Sequence, residues 1–111
     1  MTRRPQGRRR VAKSRLDAMI EEATTDCYDE EEQRGGFFNM LEEHLKLPFT
    51  TSMLGVEVTV ERLDYSGGGD LVAICSREGN SIPVPIVDLP LPAKPPKGAE
   101  WIDAYRRFCG A

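Results

Sequence analysis

The sequence predicts an α+β fold, with helices toward the N-terminus, a small antiparallel SH3-like β sheet or barrel, and a C-terminal helix. Three observations predict it. Apolar residues recur at helical spacing as far as Leu45, the period switches to two after Pro48, and aromatic residues return to helical spacing from Trp101. A chain of 111 residues suits one domain of this kind.

The first helix is expected from about Arg9, with Val11, Ala12, Leu16, Met19, Ile20 and Ala23 on one face and a stop near Thr24-Thr25. A second starts at Asp29-Glu30-Glu31-Glu32, where Asp29 can cap, Glu32 completes a capping-box pattern, and acids suit the positive end of the helix dipole. Its buried stripe is Phe37, Phe38, Leu41 and Leu45. Gly35-Gly36 costs roughly 1 kcal/mol per residue inside a helix. Either the helix begins after the glycines or another backbone packs closely there.

Pro48 ends the helical part. Leu54, Val56, Val58 and Val60 then alternate with Gly55, Glu57, Thr59 and Glu61, which predicts a half-buried antiparallel strand. Leu71–Cys75 is apolar enough for a central strand, and Arg77–Asn80 reads as a turn. Ile82, Val84 and Ile86 alternate with Ser81, Pro83 and Pro85, and the missing proline N–H groups place this strand at an edge. Residues 90–98 (PLPAKPPKG) read as a rigid extended connector. The last helix carries Trp101, Ala104, Tyr105 and Phe108 on one face, acids early and arginines late.

Charge divides the chain. Residues 1–15 carry five of the arginines before Lys13 and Arg15, with no acid, for +7; the remainder carries −10, which together give the formal −3. We therefore expect a basic disordered tail over 1–15 and a single acidic domain over 16–111. An acidic body repels nucleic acid and attracts cations, so phosphate contacts are expected only through the tail. No apolar run suits a membrane span or a signal h-region. Cys27, Cys75 and Cys109 are far apart, His44 stands alone, and no Cys-x-x-Cys occurs, which argues against structural zinc. No nucleophile or metalloprotease pattern is present, so no enzyme is expected.

The stretch Asp64-Tyr-Ser-Gly-Gly-Gly-Asp70 admits several chemistries. A P-loop needs a following Lys, and a dinucleotide fingerprint needs a following helix. An EF-hand loop starting at Asp64 would place Cys75 at the bidentate position. A glycine-rich hairpin remains, whose two flanking carboxylates could form half of an irregular calcium site.

Several strings carry a resemblance: EEEQRGGFFNMLEEHLKLPF (Glu30 to Phe49), LDYS (Leu63 to Ser66), LVAIC (Leu71 to Cys75), VDL (Val87 to Leu89) and the closing WIDAYRRF. In order and spacing, over roughly residues 16–108, they resemble the small prokaryotic calcium-binding protein family typified by the cyanobacterial calcium-binding protein CcbP. The resemblance implies a cytoplasmic protein that binds Ca²⁺ without EF-hands, through acidic surface groups, and compacts on binding, as a buffer or a sensor.

It brings no ligand assignment, so the candidates follow from physics. Asp64 and Asp70 flank the glycines. Asn39 and Glu43 lie one helical turn apart, and Glu42 points elsewhere. Asp88 follows the edge strand. Asp29 and Glu32, with Asp26 and Glu31, form the densest acidic run. Each also has a structural role open to it: a solvated helix face for Glu42 and Glu43, a turn cap for Asp88, a first-turn acid for Asp103. A monomer is expected, with a protein partner possible. The alternative reading is an SH3-like protein- or nucleic-acid-interaction module with an Arg-rich tail.

Overall fold

The computed structural model describes residues 11–110 and has the predicted α+β class. Helices α1 (Lys13–Ala23) and α2 (Glu30–His44) precede four strands, β1 (Phe49–Met53), β2 (Val56–Tyr65), β3 (Leu71–Arg77) and β4 (Asn80–Pro85). A 3-10 turn (Ile86–Asp88) and the proline connector lead to α3 (Glu100–Phe108). Most of the segment expected as a tail, and the expected helix start at Arg9, lie outside the described residues. Residues 13–15 belong to α1, so the folded domain begins earlier than expected.

The start of α2 follows from its capping chemistry. The Asp29 carboxylate accepts from the Glu32 N–H at 2.7 Å, and Glu32 Oε1 accepts from the Tyr28 N–H at 2.7 Å. The two glycines lie inside the helix. A Cβ at Gly36 would overlap the Ala23 carbonyl, so the end of α1 is seated against this backbone. One to five residues further on, Phe37 and Leu41 are fully buried, each contributing roughly 2 kcal/mol. At the other end of α2 a Cβ at Gly98 would overlap the His44 carbonyl, the Lys46 N–H donates to the Lys97 carbonyl at 2.9 Å, and the His44 ring stacks on Trp101 at 5.5 Å. The connector therefore runs back against α2 before α3 begins.

The sheet is an antiparallel meander in the order β1-β2-β3-β4. The expected barrel is not closed, because β1 and β4 remain at opposite edges. The proline-bearing strand is an edge, as predicted. The first strand differs from expectation. Residues 49–53 form a strand of their own, and Leu54 and Gly55 are the turn, with φ of 53° and 77°. Met53 pairs with Val56 across this two-residue loop, whose left-handed backbone matches the sheet twist. A leucine in that conformation costs about 1 kcal/mol, which is why sequence patterning placed Leu54 in a strand.

One face of the sheet carries the core. Val60, Leu63, Leu71, Ala73, Cys75 and Val84 meet Phe37, Leu41, Ile102 and Tyr105 from the helices. Phe37 contacts the Tyr105 ring edge-on at 5.4 Å and Phe108 at 5.0 Å. Asp17 of α1 accepts from Arg107 of α3 at 2.7 Å, and that hydrogen bond holds the carboxyl below its usual range.

The two helical glycines should respond oppositely to alanine. Gly36→Ala should destabilise by roughly 2 kcal/mol or more, because the clash is with backbone rather than a flexible side chain. Gly35→Ala meets only the Tyr65 hydroxyl at 3.8 Å and should stabilise by about 0.5–1 kcal/mol through helix propensity. Paired thermal melts check both signs.

Candidate functional site

The glycine stretch is a β2–β3 hairpin loop. The Ser66 N–H donates to the Asp70 carbonyl at 2.8 Å, and the Gly69 N–H donates to the Ser66 carbonyl at 3.0 Å. Gly69 has φ of 89°, so a tight turn is followed by a left-handed residue that rejoins the ladder, a conformation suited to glycine. The Ser66 hydroxyl accepts from the Gly68 and Asp70 N–H groups at 3.3 and 3.2 Å. At the base of the loop Tyr65 stacks on Phe38 of α2 at 4.6 Å.

Arg34 joins this loop to α2. Its Nε donates to the Gly69 carbonyl at 3.1 Å, while Nη1 lies 3.7 Å from Glu30 Oε2, one helical turn back. An oxygen from the helix and an oxygen from the loop thus converge on one positive group. Partial desolvation of its sulfur raises the thiol of the otherwise exposed Cys109; Asp70 and Glu30 are close enough to add to this, while Tyr105 and Arg34 oppose it. Glu31 adds to the burial that raises the Tyr65 phenol. The junction of α2 with the glycine loop is therefore an acidic neighbourhood built around an arginine.

The other sequence-predicted residues are distributed over the surface. Asp64 is exposed and accepts from its own neighbour, the Tyr65 N–H, at 2.8 Å. It pairs with Val72 and lies on the sheet face opposite Tyr65, away from the Tyr65–Phe38 contact with α2. Asp29 and Glu32 act as the α2 cap. Asn39, Glu42 and Glu43 are exposed on α2, and Glu43 is about 14 Å along the helix from Arg34. Asp88 is exposed in the 3-10 turn. Among the described residues no three His, Cys, Asp or Glu side chains form a group able to hold a metal ion. Asp70 is thus the one candidate that belongs to the Arg34 neighbourhood. Sequence reasoning missed Glu30, Arg34 and the Gly69 carbonyl. The Glu30/Arg34 spacing was a legible signal for the pair, but nothing local indicated that Arg34 would reach a loop 35 residues away.

No family model, curated protein or solved structure matches the chain. Among the described residues no helix is long and apolar enough to cross a membrane. Cys27, Cys75 and Cys109 are free thiols, the first half-buried, the second buried and the third exposed.

Two tyrosines give the neighbourhood a pH signature. The Tyr65 phenol is raised by burial and by Glu31, and Tyr105 is raised further by burial, Cys109 and Asp70. A raised folded value means that the stability these protonated phenols contribute is complete below the ordinary value of 10.0 and is lost as pH climbs through the raised values. Glu31→Gln should lower the Tyr65 midpoint in a phenolate absorbance titration, with Tyr65→Phe identifying the component. An unchanged midpoint contradicts the assignment.

Proposed function

We propose that this chain is a calcium-binding protein of the non-EF-hand kind, acting in the cytoplasm as a buffer or sensor, with no catalytic activity. The observation that carries the reading is the convergence of the Glu30 carboxylate and the Gly69 carbonyl on the Arg34 guanidinium, with Asp70 beside them. These are hard oxygen donors from two separate elements, the donor type that Ca²⁺ accepts in irregular geometry and that soft metals do not prefer. The −10 of residues 16–111 favours cation uptake further, since neutralising mutually repelling carboxylates relieves strain in the fold.

The donor chemistry fits calcium; a complete preformed coordination shell is not part of the reading. Glu30, Glu31 and Asp70 would draw together as the ion binds and Arg34 withdraws. That rearrangement accounts for the compaction the resemblance implies. It also sets a weak affinity, on the order of 10⁻⁴–10⁻³ M, as for sites of low rigidity. At ten times the Kd the ion would stabilise the fold by about 1.4 kcal/mol. The alternative, an SH3-like interaction module, finds its support at the opposite end of the sheet, where the surface is apolar. That surface suits protein contact better than nucleic acid.

Calorimetric titration of the metal-free chain with Ca²⁺, in excess Mg²⁺ and about 0.15 M salt, should give a saturable isotherm. Glu30→Gln and Asp70→Asn should each weaken it by about tenfold, the loss of one charged ligand. Arg34→Met should tighten it by about 3- to 10-fold by removing the competing cation. No saturable heat, or an affinity indifferent to all three substitutions, contradicts the proposal.

A further inference from the structure

The helices cover only part of the inner sheet face. Toward the β1–β2 and β3–β4 turns, Met53, Leu54, Val58, Cys75 and Ile82 line an open pocket of about 390 Å³. Register places these strand residues on the core face: Ile82 pairs with Cys75, Cys75 with Val60, and Thr51 with Val58. The apolar layer that is sealed by α2 and α3 at one end is thus open at the other. Leu54 is fully exposed at 103%, Ile82 is 58% exposed and Val56 40%.

Leu54 is unfavourable twice over in an isolated chain. It holds φ of 53° in a turn position that suits asparagine or glycine, and it gives its whole side chain to water. An outlier of this kind points to a role for the side chain itself. The knob and the pocket lie side by side on one surface, so a two-fold axis beside them seats each Leu54 in the other copy's pocket. The rim carries both signs of charge, as a surface that pairs with itself requires: Arg77 donates to the Glu57 carbonyl at 3.1 Å and pairs with Glu78 at 3.3 Å. The N-terminal decapeptide MTRRPQGRRR is half arginine and has only Met1 and Pro5 to offer an apolar pocket.

We propose that this open end of the inner sheet face is an isologous self-association surface, with Leu54 of each copy inserted into the pocket of a second copy. The two cores become continuous across the interface, and the glycine hairpin with Arg34 is left outside it. The proposal does not depend on calcium binding.

Sedimentation velocity of the full-length chain over about 1 to 500 µM should reveal a monomer–dimer equilibrium, in the range of a small interface. Leu54→Asn suits the left-handed turn, so its monomer should be at least as heat-stable as the parent, yet dimerisation should weaken at least about tenfold. Ile82→Glu, on the exposed edge strand, should do the same by a different route. A chain that stays monomeric throughout this range, or a dimer whose affinity both substitutions leave within about twofold, overturns the proposal.

Discussion

The backbone seating of α2 is the constraint on which the rest of this fold depends. Helices usually keep side chains between their axes. Here α2 meets the Ala23 carbonyl directly at Gly36, midway along the helix, and the Gly98 backbone meets the His44 carbonyl at its C-terminal end. Two carbon atoms are absent where two side chains would otherwise hold the neighbours apart. The consequence is positional. With its middle and its C-terminal end fixed, Phe37 and Leu41 are driven into the sheet, Phe38 reaches Tyr65, and Arg34 comes over the glycine loop. The helix-propensity loss at Gly36 is offset by the burial that the close approach permits.

Two ends of the sheet then acquire different character. At the β2–β3 turn an arginine gathers a carboxylate and a carbonyl in an acidic surround, while at the other pair of turns the apolar face continues past the helices into water. The proposed ion-responsive end and the proposed self-association end are joined by a continuous core. Val60, Ala73 and Cys75 belong to the same buried layer that connects both. Closing the sheet into a barrel would have removed the open end, and the prolines of β4 help prevent it. Pro83 and Pro85 leave the outer edge without the N–H groups that another strand would need.

Legibility in the sequence followed the range of the interactions. The cap of α2, its buried stripe, the aromatic face of α3, the glycine hairpin and the edge position of the proline strand are all set by residues within a few positions of one another, and all were readable. The glycine pair was readable as an alternative, and the close-backbone branch is the one the fold adopts. The turn at Leu54-Gly55 was not readable, because leucine is a poor signal for a left-handed turn and fits an alternating strand. The strand Phe49–Met53 was hidden by its polar Thr-Thr-Ser centre, although Thr51 is buried and its hydroxyl donates to the Pro90 carbonyl at 2.8 Å. The site was legible only in part. Acid-rich segments announce themselves, but Asp29 and Glu32 serve as a cap, and Asp64 falls on the far face. The partnership of Glu30 and Arg34 with Gly69 depends on tertiary placement.

The central claim is that the acidic junction between α2 and the glycine loop, with Arg34 at its centre, is where a cation acts on this protein. Backbone amide chemical shifts followed residue by residue through a calcium titration test it most directly. The account predicts saturable shifts concentrated at Glu30, Glu31, Arg34, Gly69 and Asp70, with the amides of Asn39, Glu43 and Asp88 little affected. Shifts centred on the latter three, or a glycine loop that does not respond while the ion saturates the protein, would contradict it.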